Sequence, residues 1–213
     1  IFSKGHSCLA LYWTLSQFGF FDKSLIENYG EDGANFAGHP EFDKAPGIEI
    51  SSGSLGHGPA IGAGIAYAGL KYKKNYKVFV IVGDGETNEG SVWESLMCAS
   101  QLNLSNFYLI IDNNGLESLD KTNNIMSIEP IHKRLEAFNF VVERGNGHDF
   151  KTISSSINNL MKNNSNKPRA FIADTVKANG ISFIQGQTKW HYRAPNEEEY
   201  LMGIKELEDK INA

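Results

Sequence analysis

Residues 77–116 constrain the fold more than any other stretch. They read KVFVIV, GDGETNEG, SVWESLMCASQLNLSN, FYLIID and NNGL in turn. That is an apolar run, an acid bracketed by glycines, a helical stretch, a second apolar run and an asparagine pair. Two apolar runs joined through a helix form a crossover whose strands are parallel. Five consecutive apolar residues, Val78 to Val82, suit a strand covered on both faces. The expected architecture is therefore α/β: three layers, α/β/α, around a mostly parallel sheet. Such sheets bind ligands in the loops beyond the carboxyl ends of their strands. Here those loops carry Asp84 and, 30 positions on, Asn114, one strand–helix–strand unit apart. Oxygen donors among glycines predict a hard metal ion beside a phosphate-bearing group. Mg²⁺ suits that donor set, with Ca²⁺ as a substitute.

The bulk numbers fit this picture. A chain of 213 residues is long enough for one large α/β domain spanning 1–213. The net charge of −5, with no basic tract, argues against a nucleic-acid surface. The two cysteines, Cys8 and Cys98, lack zinc-site or disulfide spacing, and a reducing, cytoplasmic compartment follows. No apolar run approaches a membrane span and no signal pattern opens the chain. The first residues, Ile1 to His6, pass straight into motif-like sequence, which predicts an upstream segment missing from this chain.

Taken in order, Ser3-Lys4-Gly5-His6 precedes an apolar-periodic helix, Leu9 to Phe18, ended by Gly19. His6 lies at its amino end, where backbone N–H groups favour an anion, or is simply a neighbour of the cap. Residues 22–35 hold a short helix and a turn. In Gly38-His39-Pro40-Glu41 the proline forces His39 into extended geometry, exposing its imidazole on a rigid turn. Ser51 to Pro59 is rich in glycine and hydroxyls, so its backbone, Gly53 included, approaches a ligand closely. It feeds a small-residue helix, Ala60 to Leu70. After the central stretch come an amphipathic helix (Ile131, Leu135, Phe138), a strand at 140–143 and a turn from Gly145 to Asp149. Residues 150–162 read as a helix. A fourth strand covers 170–176, and an acidic helix 196–210 places Tyr200, Leu201, Ile204, Leu207 and Ile211 on one packed face.

The two common nucleotide loops, GxGxxG and GxxxxGK[ST], are absent. GDG followed by NN resembles the signature of thiamine diphosphate enzymes. Ser3-Lys4-Gly5-His6, Gly38-His39-Pro40-Glu41, Gly53-Ser54-Leu55-Gly56 and GDGETNEG, in this order, resemble the transketolase family over most of the chain. The resemblance implies a thiamine diphosphate-binding fold in which Asp84, Asn114 and the carbonyl of Leu116 hold the metal. It implies that Gly85, His6 and His191 meet the diphosphate, that Leu55 lies against the thiazolium, and that Glu89 sits near an interface between subunits. His191, in the Trp190-His191 pair, is implied as an active-site histidine, and His39 as a hydrogen-bond partner of sugar hydroxyls. The implied activity is transfer of a two-carbon ketol unit from a ketose, free or phosphorylated, to an aldose.

Two departures qualify the resemblance. His57 stands where many transketolases have glutamine, and reads as a proton shuttle, a substrate contact or a filler of the same hydrogen-bonding place. The pyrimidine-binding half is not in these residues, so a partner chain or domain completes the site within a homo- or hetero-oligomer. Three other readings compete. The α chain of a 2-oxo-acid dehydrogenase should lack Ser3-Lys4-Gly5-His6 and the Gly-His-Pro turn. A transketolase-like enzyme for specialised sugars stays open. A non-catalytic remnant need not keep Asp84, Asn114, His39 and His191.

Overall fold

The computed structural model describes residues 1–212. After a short 3₁₀ turn at Gly5–Ser7 come α1 (Cys8–Gln17) and, beyond a long loop region, α2 (His57–Lys71). Then follow β1 (Val78–Gly83), α3 (Gly90–Gln101), β2 (Phe107–Asn113), the single turn α4 (Thr122–Ile125) and α5 (Ile131–Ala137). The chain closes with β3 (Val141–Asn146), α6 (Phe150–Lys162), β4 (Arg169–Asp174) and α7 (Glu197–Ile211). The four strands are ordered β1-β2-β4-β3 and every pairing is parallel.

Period-two alternation divides the sheet's side chains between two cores. Val80, Leu109 and Ile172 face a core shared with α2, α3 and α5. Phe79, Tyr108, Ile110 and Phe171 face the opposite one, closed by Leu160, Ile153 and Ile157 of α6. The result is the expected three-layer arrangement. A third cluster joins Cys8 and Tyr12 of α1 to Phe36, Ala45 and Ile48 of the following loops. The amino-terminal residues extend the sheet. Phe2 bridges Ile81 in parallel, with Ser3 N–H donating to the Ile81 carbonyl at 2.9 Å. Lys4, Gly5 and His6 are thereby delivered to the same edge as the loops after β1 and β2.

Several expectations need correction. Gly145 and Asn146 are not a turn; they pair with Ala173 and Asp174 of β4, and the turn begins at Gly147. A glycine reads locally as a turn, but a Cβ at 145 would sit 2.5 Å from Thr152 Cγ2, so close packing of α6 on the strand requires it. β2 runs on through Asp112 and Asn113, so its exit loop starts at Asn114. Within 22–35 the only helix is a 3₁₀ turn, Lys23–Ile26, capped by Asp22. α2 starts at His57, three residues early, because Gly56 takes the left-handed conformation (φ 84°) that opens it. On α7, Tyr200 is 52% and Ile211 82% exposed, and Gly203, beside Ile181, is the helix's buried residue, so much of its apolar face stays exposed among the described residues. No helix among the described residues is long and apolar enough to cross a membrane.

Candidate functional site

The loops at the carboxyl edge of the sheet surround a cavity of about 130 Å³. Its wall includes Lys4, His6, Leu55, Asp84, Gly85, Asn114, Leu116, Lys177 and His191. Parallel register makes this convergence. Gly83 pairs with Asp112, and the Asp84 amide donates to the Asp112 carbonyl at 3.1 Å. Asn113 pairs with Asp174, and the Thr175 amide donates to the Asn113 carbonyl at 3.1 Å. Asp84, Asn114 and Lys177 therefore leave neighbouring strand ends at one level.

Asp84 is 1% exposed. Its Oδ2 accepts hydrogen bonds from the Gly115 amide and the Thr122 hydroxyl, both at 2.8 Å. Burial pushes its carboxyl above the ordinary value, against those donors, and the neighbouring Asp112 adds to the rise. Asp84 makes no ion pair among the described residues, and a buried carboxylate ordinarily has a cation or a metal to meet. Asn114 Oδ1 accepts from the Leu116 amide at 3.0 Å, which shapes the turn that brings Leu116 to the cavity. One carboxylate, one amide oxygen and one backbone carbonyl fit a hard cation that takes its remaining ligands from phosphate and water. No cluster of three or more His, Cys, Asp or Glu side chains is gathered for a metal among the described residues.

Beside Asp84, Lys4 forms an ion pair with Asp112, whose other oxygen accepts from Thr175 Oγ1. Burial alone would raise the Asp112 carboxyl, but the Lys4 charge, with hydrogen bonds from Lys4, Thr175 and Asn114, carries it below the ordinary value. Two adjacent acids thus differ: Asp112 is neutralised by a lysine and Asp84 is not.

Across the cavity lie His6 and His191, and His39 packs behind His6, outside the cavity wall. His6 and His39 meet edge to face with ring centroids 5.3 Å apart, and His6 and His191 do so at 5.2 Å. Lys177 Nζ lies 3.0 Å from His191 Nδ1, and His191 Nε2 lies 3.3 Å from His6 Nδ1. An ammonium only donates, so Lys177 donates to Nδ1. Neutral His191 then carries its proton on Nε2 and donates to His6, which keeps its own proton on Nε2. Burial, then the charges of Lys177, His6 and Lys4, lowers the His191 pKa to about 4. Burial, then His39 and Lys177, lowers His6 as well. Both rings are neutral near pH 7. His39 is held from behind: Cys8 Sγ donates to the Gly38 carbonyl at 3.1 Å and the Tyr12 hydroxyl to the Ala37 carbonyl at 3.2 Å.

Like His39, the remaining candidates from the sequence fall outside the cavity wall. Gly53, with φ 138°, backs His39: a Cβ there would sit 2.6 Å from the ring carbon Cδ2. Glu89 is the exposed residue before α3. His57 is exposed in the first turn of α2. Conversely, the structure adds Lys4, Glu86, Glu117 and Lys177 to the wall. The first two lie inside the Ser3–His6 and GDGETNEG motifs, but neither their burial nor their partners leaves a trace in local sequence.

With this geometry in place, the chain's likeness to known proteins is direct. Residues 1–208 match the family described as "Transketolase, thiamine diphosphate binding domain". Over 211 residues the chain is 37% identical to one of the subunits of the apulose-4-phosphate transketolase of Phocaeicola vulgatus, covering 99% of this chain and 74% of that one. It is 30% identical to a 6-deoxy-6-sulfo-D-fructose transketolase subunit of a Clostridium species, covering 98% of this chain and 75% of that one. Among solved structures, transketolase from Campylobacter jejuni superposes with a TM-score of 0.88 at 32% identity, over 97% of this chain. The chain spans 33% of that solved protein's length.

Proposed function

The chain belongs to the transketolase family, matching its thiamine diphosphate-binding domain, and from that premise we propose that it is the diphosphate-binding half of a two-part transketolase. On this reading residues 1–213 form one domain that acts with a pyrimidine-binding partner chain or domain. Together they move a two-carbon ketol unit from a ketose, free or phosphorylated, to an aldose. The reading rests chiefly on one observation: the unpaired buried carboxylate of Asp84 and the neutral histidines His6 and His191 face one cavity.

Asp84, the Asn114 amide oxygen and the Leu116 carbonyl would hold Mg²⁺, with Ca²⁺ as an alternative. Gly85 would let the diphosphate approach the backbone, and Leu55 would lie beneath the thiazolium. When bound, thiamine diphosphate supplies the carbanion and electron sink that carbon–carbon cleavage requires. The chain's own residues orient and move protons. His191 and His6, neutral and hydrogen-bonded in sequence, are placed to take up a proton at one ring nitrogen and release one from the other along the row. His39, exposed at the far end of the row, is placed to meet a sugar hydroxyl. The Lys177 ammonium fixes the His191 tautomer. A specialised sugar is the narrower version of this reading, since two of the relatives are named for apulose 4-phosphate and 6-deoxy-6-sulfo-D-fructose. A cytoplasmic location is part of the proposal, in keeping with two unpaired cysteines.

The test is titration calorimetry of the chain mixed with its partner. Thiamine diphosphate should bind only when Mg²⁺ or Ca²⁺ is present. Binding of equal strength in excess chelator would reject the Asp84–Asn114 metal site.

A further inference from the structure

Glu86 is the buried acid that the proposed mechanism leaves unused. It is 3% exposed and lies two residues beyond Asp84. Its Oε1 accepts two hydrogen bonds from distant parts of the chain. One comes from the Ser3 hydroxyl, the other from the Gly56 amide at 2.9 Å. Its Oε2 has no partner. Three loops that line the cavity therefore meet on one carboxylate oxygen: the segment carrying Lys4 and His6, the loop carrying Leu55, and the loop carrying Asp84 and Gly85. The packing around this junction leaves no slack. A Cβ at Gly5 would stand 2.5 Å from the Gly53 nitrogen, and one at Gly58 would overlap Ser3 Oγ. Ser91 adds a brace by donating to the Gly56 carbonyl at 3.1 Å.

We propose that Glu86 is a positioning residue that locks the Ser3–His6 and Leu55–Gly56 loops against the Asp84 loop, so that the cavity keeps its shape before any ligand arrives. It acts through Oε1 as a double acceptor, not through its charge. Holding a site in its bound geometry in advance removes an ordering cost that binding would otherwise carry. A carboxylate suits the task because one oxygen with two lone pairs accepts from a hydroxyl and an amide together. The consequence for cofactor affinity rests on the thiamine diphosphate reading; the junction itself does not.

The experiment has two arms on the chain of residues 1–213. In the first, amide hydrogen exchange is measured without cofactor. Glu86→Ala should speed exchange at Gly56 at least tenfold and leave the α6 amides unchanged. Ser3→Ala should speed it less, and Ser3→Ala added to Glu86→Ala should change nothing further, because the shared acceptor is already gone. Glu86→Gln keeps an acceptor oxygen and should retain protection within threefold. Unchanged exchange at Gly56 in Glu86→Ala, a Gln variant as unprotected as the Ala variant, or additive effects of Ser3 and Glu86 would each overturn the proposal. In the second arm, thiamine diphosphate affinity is measured with Mg²⁺ and the partner chain. Glu86→Ala should weaken it about tenfold or more, and Glu86→Gln should restore it. Wild-type affinity in the Ala variant would overturn the link to binding. Absence of binding by the unaltered protein would instead reject the cofactor reading and leave the exchange result standing.

Discussion

The two walls of the cavity are built differently. The acid wall is made by sheet register: Asp84 and Asn114 follow paired strands, and Asp84 is fastened by Gly115 and Thr122 within a buried core. The histidine wall is assembled from separate loops, with His6 and His191 lining the cavity and His39 packed behind His6. His6 sits on a 3₁₀ turn, His39 on a Gly-His-Pro turn, and His191 on the turn Thr188–His191, none of whose residues is buried. A wall set by register is rigid and intolerant of change. A wall set by loop contacts holds chemistry that tolerates substitution without loss of the fold. That difference yields a sharp separation between binding defects and turnover defects.

The largest effect belongs to the acid wall. Asp84→Ala should abolish metal-dependent thiamine diphosphate binding, a loss of at least a hundredfold by calorimetry. It should also destabilise the chain by about 1–3 kcal/mol in urea unfolding, since the Gly115 amide and Thr122 hydroxyl lose a buried acceptor. Retained affinity would break the assignment of that wall.

Next in size is the histidine wall. In the complete enzyme His39→Ala should lower kcat by roughly 10²–10⁴-fold, the usual contribution of a positioned acid–base group. Its cofactor affinity should stay within a few fold, because His39 touches the His6 ring and not the cavity floor. Equal losses of cofactor affinity in His39→Ala and Asp84→Ala would erase the contrast between the walls.

The walls also differ in how far the sequence reveals them. Asp84 and Asn114 were legible because an apolar run of strand length and a helical spacer together dictate a parallel crossover, and the crossover dictates where the loops end. The histidines were legible only through motifs, since nothing in local pattern says that residues 6, 39 and 191 share a site. Lys4–Asp112 and Ser3–Glu86 were invisible, because partners 108 and 83 positions apart are joined by folding alone. α7 shows the opposite limit. Its periodicity correctly announced a helix with an apolar side, but amphipathicity reports that such a side exists, not what covers it. At Gly145 and Asn146 tertiary pairing overrode a local turn signal.

A smaller effect comes from pH. His191 is ordinarily protonated below 6.5, but burial and nearby cations lower it to about 4 in the folded chain. Between those values the unfolded chain binds more protons, so stability is fully present above pH 6.5 and falls as pH drops toward 4. Urea midpoints measured across pH 4–7 should show this decline, and His191→Asn should flatten part of it. A slope unchanged in the variant would mean that the ring is not held neutral by its surroundings. Asp84, with its raised carboxyl, opposes this trend, because protonation favours the folded form there. The difference between the variant and the parent isolates the histidine.

The smallest effect is expected at His57, and it sets the boundary of the histidine wall. By residue type and motif His57 belongs with His6, His39 and His191. By position it does not: it is exposed in the first turn of α2, neither in the cavity wall nor among the ring contacts that join His6, His39 and His191, whereas Gly56 beside it is anchored to Glu86. The left-handed Gly56 turns the chain between the two, so neighbouring residues face different surroundings. His57→Ala should therefore leave cofactor affinity within twofold of the parent. In the complete enzyme any effect should appear in the KM for a sugar, where an exposed imidazole meets substrate or partner, and not in metal-dependent binding. A cofactor defect approaching that of Asp84→Ala would place His57 inside the site and show that the histidine wall extends around the start of α2.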